Sequence, residues 1–211
     1  MVRDQLWSRG IRDRRVLAAM GVVPRESFVA AGREADAYAD SPLSIGRGQT
    51  ISQPYIVARM TESLELPETV GPGSWARPRV LDVGTGSGYQ AAILAQMGAE
   101  VISIERDVSL AETARERLQR LGYAVEVVIG DGSLGYAPGA PYQGIVVAAG
   151  APTLPAPLVE QLADGARLVV PVGDGRSQRL TIVHHRGADD ETTQTDRCVF
   201  VPLVGRFGHP G

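Results

Sequence analysis

Along the chain the apolar residues change their period. From residue 79 onward, short apolar runs alternate with amphipathic stretches, which predicts strands and helices in turn. Residues 79–84 read as a buried strand, 88–97 as the helix after it, and 100–104 as a second strand. Within 108–121, Leu110, Ala114, Leu118 and Leu121 recur at spacings of 4, 4 and 3, one face of a helix. Glu116 and Arg120 pair at i,i+4 on its other side, and Gly122 is a stop signal. Residues 125–129 and 144–148 predict a third and fourth strand, 158–162 the core of another helix, and 167–172 a fifth strand. Segments 178–185 and 197–203 are expected to close the sheet as a β pair across the polar stretch 187–195. This alternation predicts an α/β fold, a doubly wound, mainly parallel sheet covered on both faces.

Residues 1–66 have a different pattern. A helical stretch carrying Leu6, Val16, Leu17 and Met20 inward ends at Val22-Val23-Pro24. A Gly-, Ser- and Pro-rich loop, 40–52, follows. Residues 54–66 read as a helix with Ile56, Val57, Met60 and Leu64 inward. The stretch 67–78, with three Pro and two Gly, is a linker. The expected organisation is an N-terminal helical segment with a loop (1–66), a linker (67–78) and an α/β domain (79–211), packed as one compact unit.

Composition narrows the chemistry. All 21 basic residues are Arg, and neither Lys nor Asn occurs. That removes Schiff-base chemistry and a Lys-containing phosphate loop. The formal charge of −3 gives no electrostatic footprint for nucleic acid. No run reaches the roughly 20 apolar residues of a membrane span, and the Arg-containing N-terminus lacks a signal peptide's apolar stretch. A single cysteine, Cys198, excludes an internal disulfide, and the three histidines all lie beyond residue 183, with no clustered partners for a metal. The expectation is a cytoplasmic protein with no metal site and neither nucleic acid nor membrane as partner.

The strongest local signal is Asp82-Val-Gly84-Thr-Gly86-Ser-Gly88, placed where the first strand meets its helix. Glycines there let a ligand approach the backbone, and the helix start presents free N–H groups. Glu105 ends the second strand, where a carboxylate binds ribose hydroxyls in doubly wound folds, and Asp131-Gly132 follows the third. The spacing is G-x-G-x-G, with Tyr89 where a dinucleotide loop carries its third glycine. Asp82 disfavours a pyrophosphate and suits a cationic ligand, so S-adenosylmethionine fits; a tight turn alone would also explain the three glycines. A second signal, Gly48-Gln-Thr50-Ile-Ser52-Gln-Pro54, puts hydroxyls at a helix start. Pro54 fits the first helical turn and Ser52 could cap that helix, in which case Ser52 is only an N-cap and Thr50 only a turn residue.

Val23-Pro-Arg-Glu26, Pro42-Leu-Ser-Ile-Gly46 and Gly48-Gln-Thr-Ile-Ser-Gln-Pro-Tyr55 resemble signature stretches of the protein-L-isoaspartate O-methyltransferases, bacterial type. So do Leu81-Asp-Val-Gly-Thr-Gly-Ser-Gly-Tyr-Gln90, Gly130-Asp-Gly132 and Phe200-Val-Pro-Leu203, so that the likeness spans about residues 5–207. The tail after Leu203 fits loosely. The resemblance implies a Rossmann-like S-adenosylmethionine-dependent methyltransferase fold and methylation of the α-carboxylate of L-isoaspartyl residues in damaged proteins and peptides. It further implies that Ser52 is the active-site serine and that Thr50 and Ile51 line the pocket. By the same resemblance Asp82, Gly84, Thr85, Gly86, Ser87 and Gly88 form the cofactor loop, Glu105 holds the ribose, and Asp131 and Gly132 lie beside the adenine. The chain is expected to act as a monomer. An ionised carboxylate needs no general base, so the lack of Lys and the remote histidines do not hinder this reaction. The rivals are a methyltransferase for another acceptor, a nicotinamide dehydrogenase, and a cofactor-binding module without activity.

Overall fold

The computed structural model describes residues 1–68, 77–187 and 189–211. Most of the expected linker, 69–76, lies outside the described residues. The N-terminal helical stretch is broken in two. Two short turns, Val2–Leu6 and Trp7–Arg9, stop at Gly10 (φ 98°), and helix α1, Arg14–Val22, restarts beyond it. Asp13 caps α1, its carboxylate accepting from the amides of Arg15 and Val16.

The predicted loop 40–52 contains a small antiparallel hairpin, β1 (Leu43–Gly46) and β2 (Gln49–Ile51). Its turn, Gly46-Arg47-Gly48, is left-handed at all three residues (φ 91°, 52° and 70°), which the flanking glycines tolerate. Helix α2, Pro54–Ser63, follows, with Gln53 rather than Ser52 at its N-cap and no side-chain cap bond there.

The main sheet comprises β3 (Arg79–Val83), β4 (Glu100–Glu105), β5 (Val125–Ile129), β6 (Tyr142–Val147), β7 (Leu162–Gly173), β8 (Gln178–His184) and β9 (Glu191–Cys198). Their spatial order is β5-β4-β3-β6-β7-β8-β9; the first five in that order run parallel, and β8 and β9 are antiparallel. Helices α3 (Tyr89–Gln96) and α4 (Val108–Arg120) follow β3 and β4. On one face, α2 and α3 pack over Val80, Val101, Val146 and Val169. The alternate residues Leu81, Ile102, Ile145 and Leu168 point to the other face, as the two-residue period requires. That second face is covered by Leu158 of the four-residue helix α5 (Ala156–Val159) and by Leu203 of the C-terminal tail, which cluster with Tyr142 of β6.

Two expectations change here. The helix predicted around 158–162 ends at Val159, and Leu162 already belongs to β7, pairing with Tyr142. The closing strand is the polar stretch 191–198, not 197–203. β9 is an edge strand with one neighbour and an exposed face, so Thr192, Thr193 and Thr195 serve it where apolar residues were sought. Residues 199–203 leave the sheet and turn back over its carboxyl edge, where Gly150 and Pro202 form an isolated bridge.

Candidate active site

The strand order reverses at β3, between β4 and β6, and the carboxyl ends of the strands on either side of such a point frame a crevice. A cleft holding about 950 Å³ of space, part of it open to solvent, occupies that position. Its floor comes from strand ends: Val83 and Gly84 after β3, Ile104 and Glu105 at β4, Gly132 after β5, and Ala148 and Ala149 after β6. Its cover is the chain around β2 (Thr50, Ile51, Ser52) and the returning tail, residues 200–204.

The glycine-rich loop is held from below. Gly84, Gly86 and Gly88 all have positive φ (91°, 51° and 89°). The Gly86 amide donates to Glu105 Oε2 (3.0 Å), and the amides of Arg106 and Asp107 donate to Glu105 Oε1 (2.9 and 3.0 Å). The Glu105 carboxylate therefore keeps a fixed orientation at the cleft wall. Arg117 of α4 donates to the Ser87 carbonyl (2.8 Å), and Thr85 Oγ1 shares a hydrogen with Ser103 Oγ (2.6 Å). Gly132 has no room for a side chain, because a Cβ there would stand 2.6 Å from Val83 Cγ1.

Of the residues singled out from the sequence, Thr50, Ile51, Ser52, Gly84, Thr85, Gly86, Ser87, Glu105 and Gly132 line this cleft. Three others stand behind it. Asp82 is fully buried beneath the loop and accepts from Ser103 Oγ at 2.7 Å; its Oδ1 has no hydrogen-bond partner. Burial pushes its carboxyl up to about 7, with Ser103 opposing and the charge of Glu105 adding to the rise. Gly88 starts α3, where a Cβ would press on Leu118 of α4 at 3.2 Å. Asp131 faces the tail, accepting from the amides of Ser133 (2.9 Å) and Arg206 (2.8 Å) and from Ser133 Oγ (2.7 Å). Desolvation pulls its pKa up, and these donors outweigh it, leaving the carboxyl below the usual range.

Ser52 is half-buried, and its carbonyl accepts from Arg25 Nη2 at 2.6 Å. Among the described residues its hydroxyl has no protein partner and is available to a ligand. A second cleft, about 740 Å³ including open solvent, lies beside the first and shares Thr50, Ser52, Ala148, Phe200 and Val201 with it. Arg9, Tyr55, Arg197 and Cys198 complete its walls. Arg9 is ion-paired with Asp40 at 2.5 Å and lies 3.5 Å above the Tyr55 ring. Burial and the charge of Asp196 push the Cys198 thiol up to about 11, which argues against a thiolate nucleophile there.

Sequence reasoning did not assign Tyr89, Gln90, Arg106, Ala148, Ala149 or Val204 to the cleft. The end of the fourth predicted strand was a usable signal for Ala148 and Ala149. None existed for Val204, which the fold of the tail brings in.

The whole chain has relatives. A family model for protein-L-isoaspartate(D-aspartate) O-methyltransferase matches residues 1–208. A protein-L-isoaspartate O-methyltransferase of Methanoculleus marisnigri is 51% identical, over all of this chain and 93% of its own. A solved protein-L-isoaspartate O-methyltransferase is 27% identical with a TM-score of 0.85, over 99% of this chain and 67% of the other. A Plasmodium falciparum structure assigned to the same enzymes, in complex with S-adenosyl-L-homocysteine, is 24% identical with a TM-score of 0.77 over 96% of each chain, a likeness that speaks to the fold.

Proposed function

Because the chain belongs to the protein-L-isoaspartate(D-aspartate) O-methyltransferase family, we propose that its two adjoining clefts hold S-adenosylmethionine and an isoaspartyl acceptor, with Ser52 between them. That shared position of Ser52 is the observation that carries the reading.

The cofactor fits the first cleft, at the carboxyl ends of the strands, in its donor set. Glu105 presents a fixed carboxylate for ribose hydroxyls, and the positive-φ glycine loop exposes backbone where a ligand can approach closely. The Glu105 carboxylate in the wall disfavours a pyrophosphate and tolerates a cation. When bound, S-adenosylmethionine would supply an electrophilic methyl group on positively charged sulfur, with the acceptor carboxylate as nucleophile and S-adenosylhomocysteine as leaving group.

The residues of this chain then position and exclude. An isoaspartyl α-carboxylate is ionised at neutral pH, so no base has to remove a proton. The Ser52 hydroxyl donates a hydrogen bond to one carboxylate oxygen and leaves the other aimed across the shared wall. Thr50, Ile51 and the tail residues Phe200 and Val201 close the space around the transfer and keep water out. We propose that the chain acts as a monomer, since both clefts are complete without a residue from a second copy. No helix among the described residues is long and apolar enough to cross a membrane, and we place the enzyme in the cytoplasm.

The test uses methyl-labelled S-adenosylmethionine and two peptides that differ only in L-isoaspartate or L-aspartate at one position. Base-labile label on the isoaspartyl peptide alone is the expected result. Label on neither, with cofactor binding intact by calorimetry, would reject the repair activity and leave a cofactor-binding module.

A further inference from the structure

The sequence stretch Val23-Pro-Arg-Glu26 has no place in the chemistry described so far, yet its arginine is among the largest fully buried side chains of the molecule. Arg25 has 0% of its surface exposed, and among the described residues no carboxylate lies within ion-pair distance of it. Its acidic neighbours are engaged elsewhere: Glu26 accepts from the Tyr38 hydroxyl, and Asp40 pairs with Arg9. The guanidinium instead donates from Nε to the Ala37 carbonyl and from Nη2 to the Ser52 carbonyl, both at 2.6 Å. Its central carbon sits 4.8 Å from the centroid of the Tyr89 ring, and Nη1 is buried without an acceptor.

Burying a cation with no counter-charge is costly, and an apolar side chain of similar volume serves stability as well or better. What only the guanidinium supplies is a rigid fork that reaches two carbonyls while its charge lies over an aromatic ring. Two of the groups it joins, Ser52 and Tyr89, line the cleft from different elements. Ser52 comes from the link between β2 and α2, whereas Tyr89 opens α3 directly after the glycine loop. Resting on the reading of Ser52 as the group that orients the acceptor, we propose that Arg25 is a positioning residue, which fixes the Ser52 backbone relative to α3 and so aligns acceptor with donor. A misplacement of about 1 Å is enough to slow an aligned transfer by two orders of magnitude.

The experiment compares full-length Arg25→Met, Arg25→Lys, Ser52→Ala and the Ser52→Ala/Arg25→Met double variant. For each, kcat and KM on the isoaspartyl peptide, the Kd for S-adenosylhomocysteine and the Tm are measured. Arg25→Met is expected to lower kcat about ten- to a hundredfold, with peptide KM and the Kd within about threefold of the parent. Arg25→Lys, which retains a donor, is expected to recover part of that loss. The double variant is expected to turn over no more slowly than Ser52→Ala, since residues acting through one another are not additive. Parental kcat in a folded Arg25→Met protein would overturn the proposal. So would losses that multiply in the double variant, or failure of both Arg25 variants to melt cooperatively, which would assign Arg25 to the fold alone. Parental turnover by Ser52→Ala would overturn the reading of Ser52 itself, an outcome separate from multiplying losses.

Discussion

Asp82 stands directly before the glycine loop in sequence and directly beneath it in space. Its side chain is closed off from water and has one hydrogen bond, from Ser103. Removed from solvent, the carboxyl holds its proton up to about pH 7, whereas in the unfolded chain it releases it near 3.8. The folded state therefore binds more protons between these values. Asp82's contribution to stability is complete below about pH 3.8, falls as pH rises, and is gone above about 7. Asp13, Asp107 and Asp131 lie below the usual carboxylate range, so their pH dependence falls at more acid pH. Thermal melts of the ligand-free protein should accordingly show stability decreasing from pH 5 to 8 by on the order of 2 kcal/mol. Asp82→Asn should flatten that slope; parallel curves for the two proteins would sink the assignment.

At the scale of elements, backbone and side-chain bonds tie the tail to the sheet edge it crosses. The Gly150 amide donates to the Val201 carbonyl and the Leu203 amide to the Gly150 carbonyl, both at 2.8 Å. Farther along, Asp131 Oδ2 accepts from the Arg206 amide and Ser133 Oγ from the Phe207 amide (3.0 Å). Asp131 thus acts through the tail: it holds the segment carrying Leu203 and Val204, which line the cleft. Losing a charge-assisted bond of this kind costs about 1–3 kcal/mol locally. Asp131→Ala should make the Arg206 and Phe207 amides exchange with deuterium roughly tenfold faster or more and weaken S-adenosylhomocysteine binding several-fold. Unchanged protection at both amides would show that the tail is held elsewhere.

In the molecule as a whole, the N-terminal segment shares a core with the α/β unit. Leu6, Ile11, Val16, Met20 and Phe28 cluster with Tyr89, Ala92, Ile93 and Leu118 from α3 and α4. Phe28 meets Tyr89 edge-on, ring centroids 5.4 Å apart. Uncovering that surface strips one side of α3, whose eight residues are too few to stand as an isolated helix. A fragment of residues 77–211 is therefore expected to lack a cooperative thermal transition and to bind a hydrophobic dye, whereas the full chain melts in one step. A cooperative melt of the fragment would establish the α/β unit as independent.

Period and local chemistry determined much of this molecule from the sequence alone. Strands β3 to β6 were legible as short apolar runs between turn signals, and helix α4 by the 4, 4, 3 spacing of its apolar face. Gly84, Gly86 and Glu105 announced a ligand edge because positive φ and a strand-end carboxylate are local properties. The strand at 191–198 and the hairpin at 43–51 were not legible, since short exposed strands carry no buried face to set a period. Only the tertiary structure separated Asp82, Gly88 and Asp131, which stand behind the cleft, from Thr50, Ser52 and Gly132, which line it. The same is true of Arg25 beneath Ser52 and of Val204 in the cleft wall. Which atoms face a cavity depends on how distant segments pack, and that packing is set by the whole core, not by neighbours in the chain.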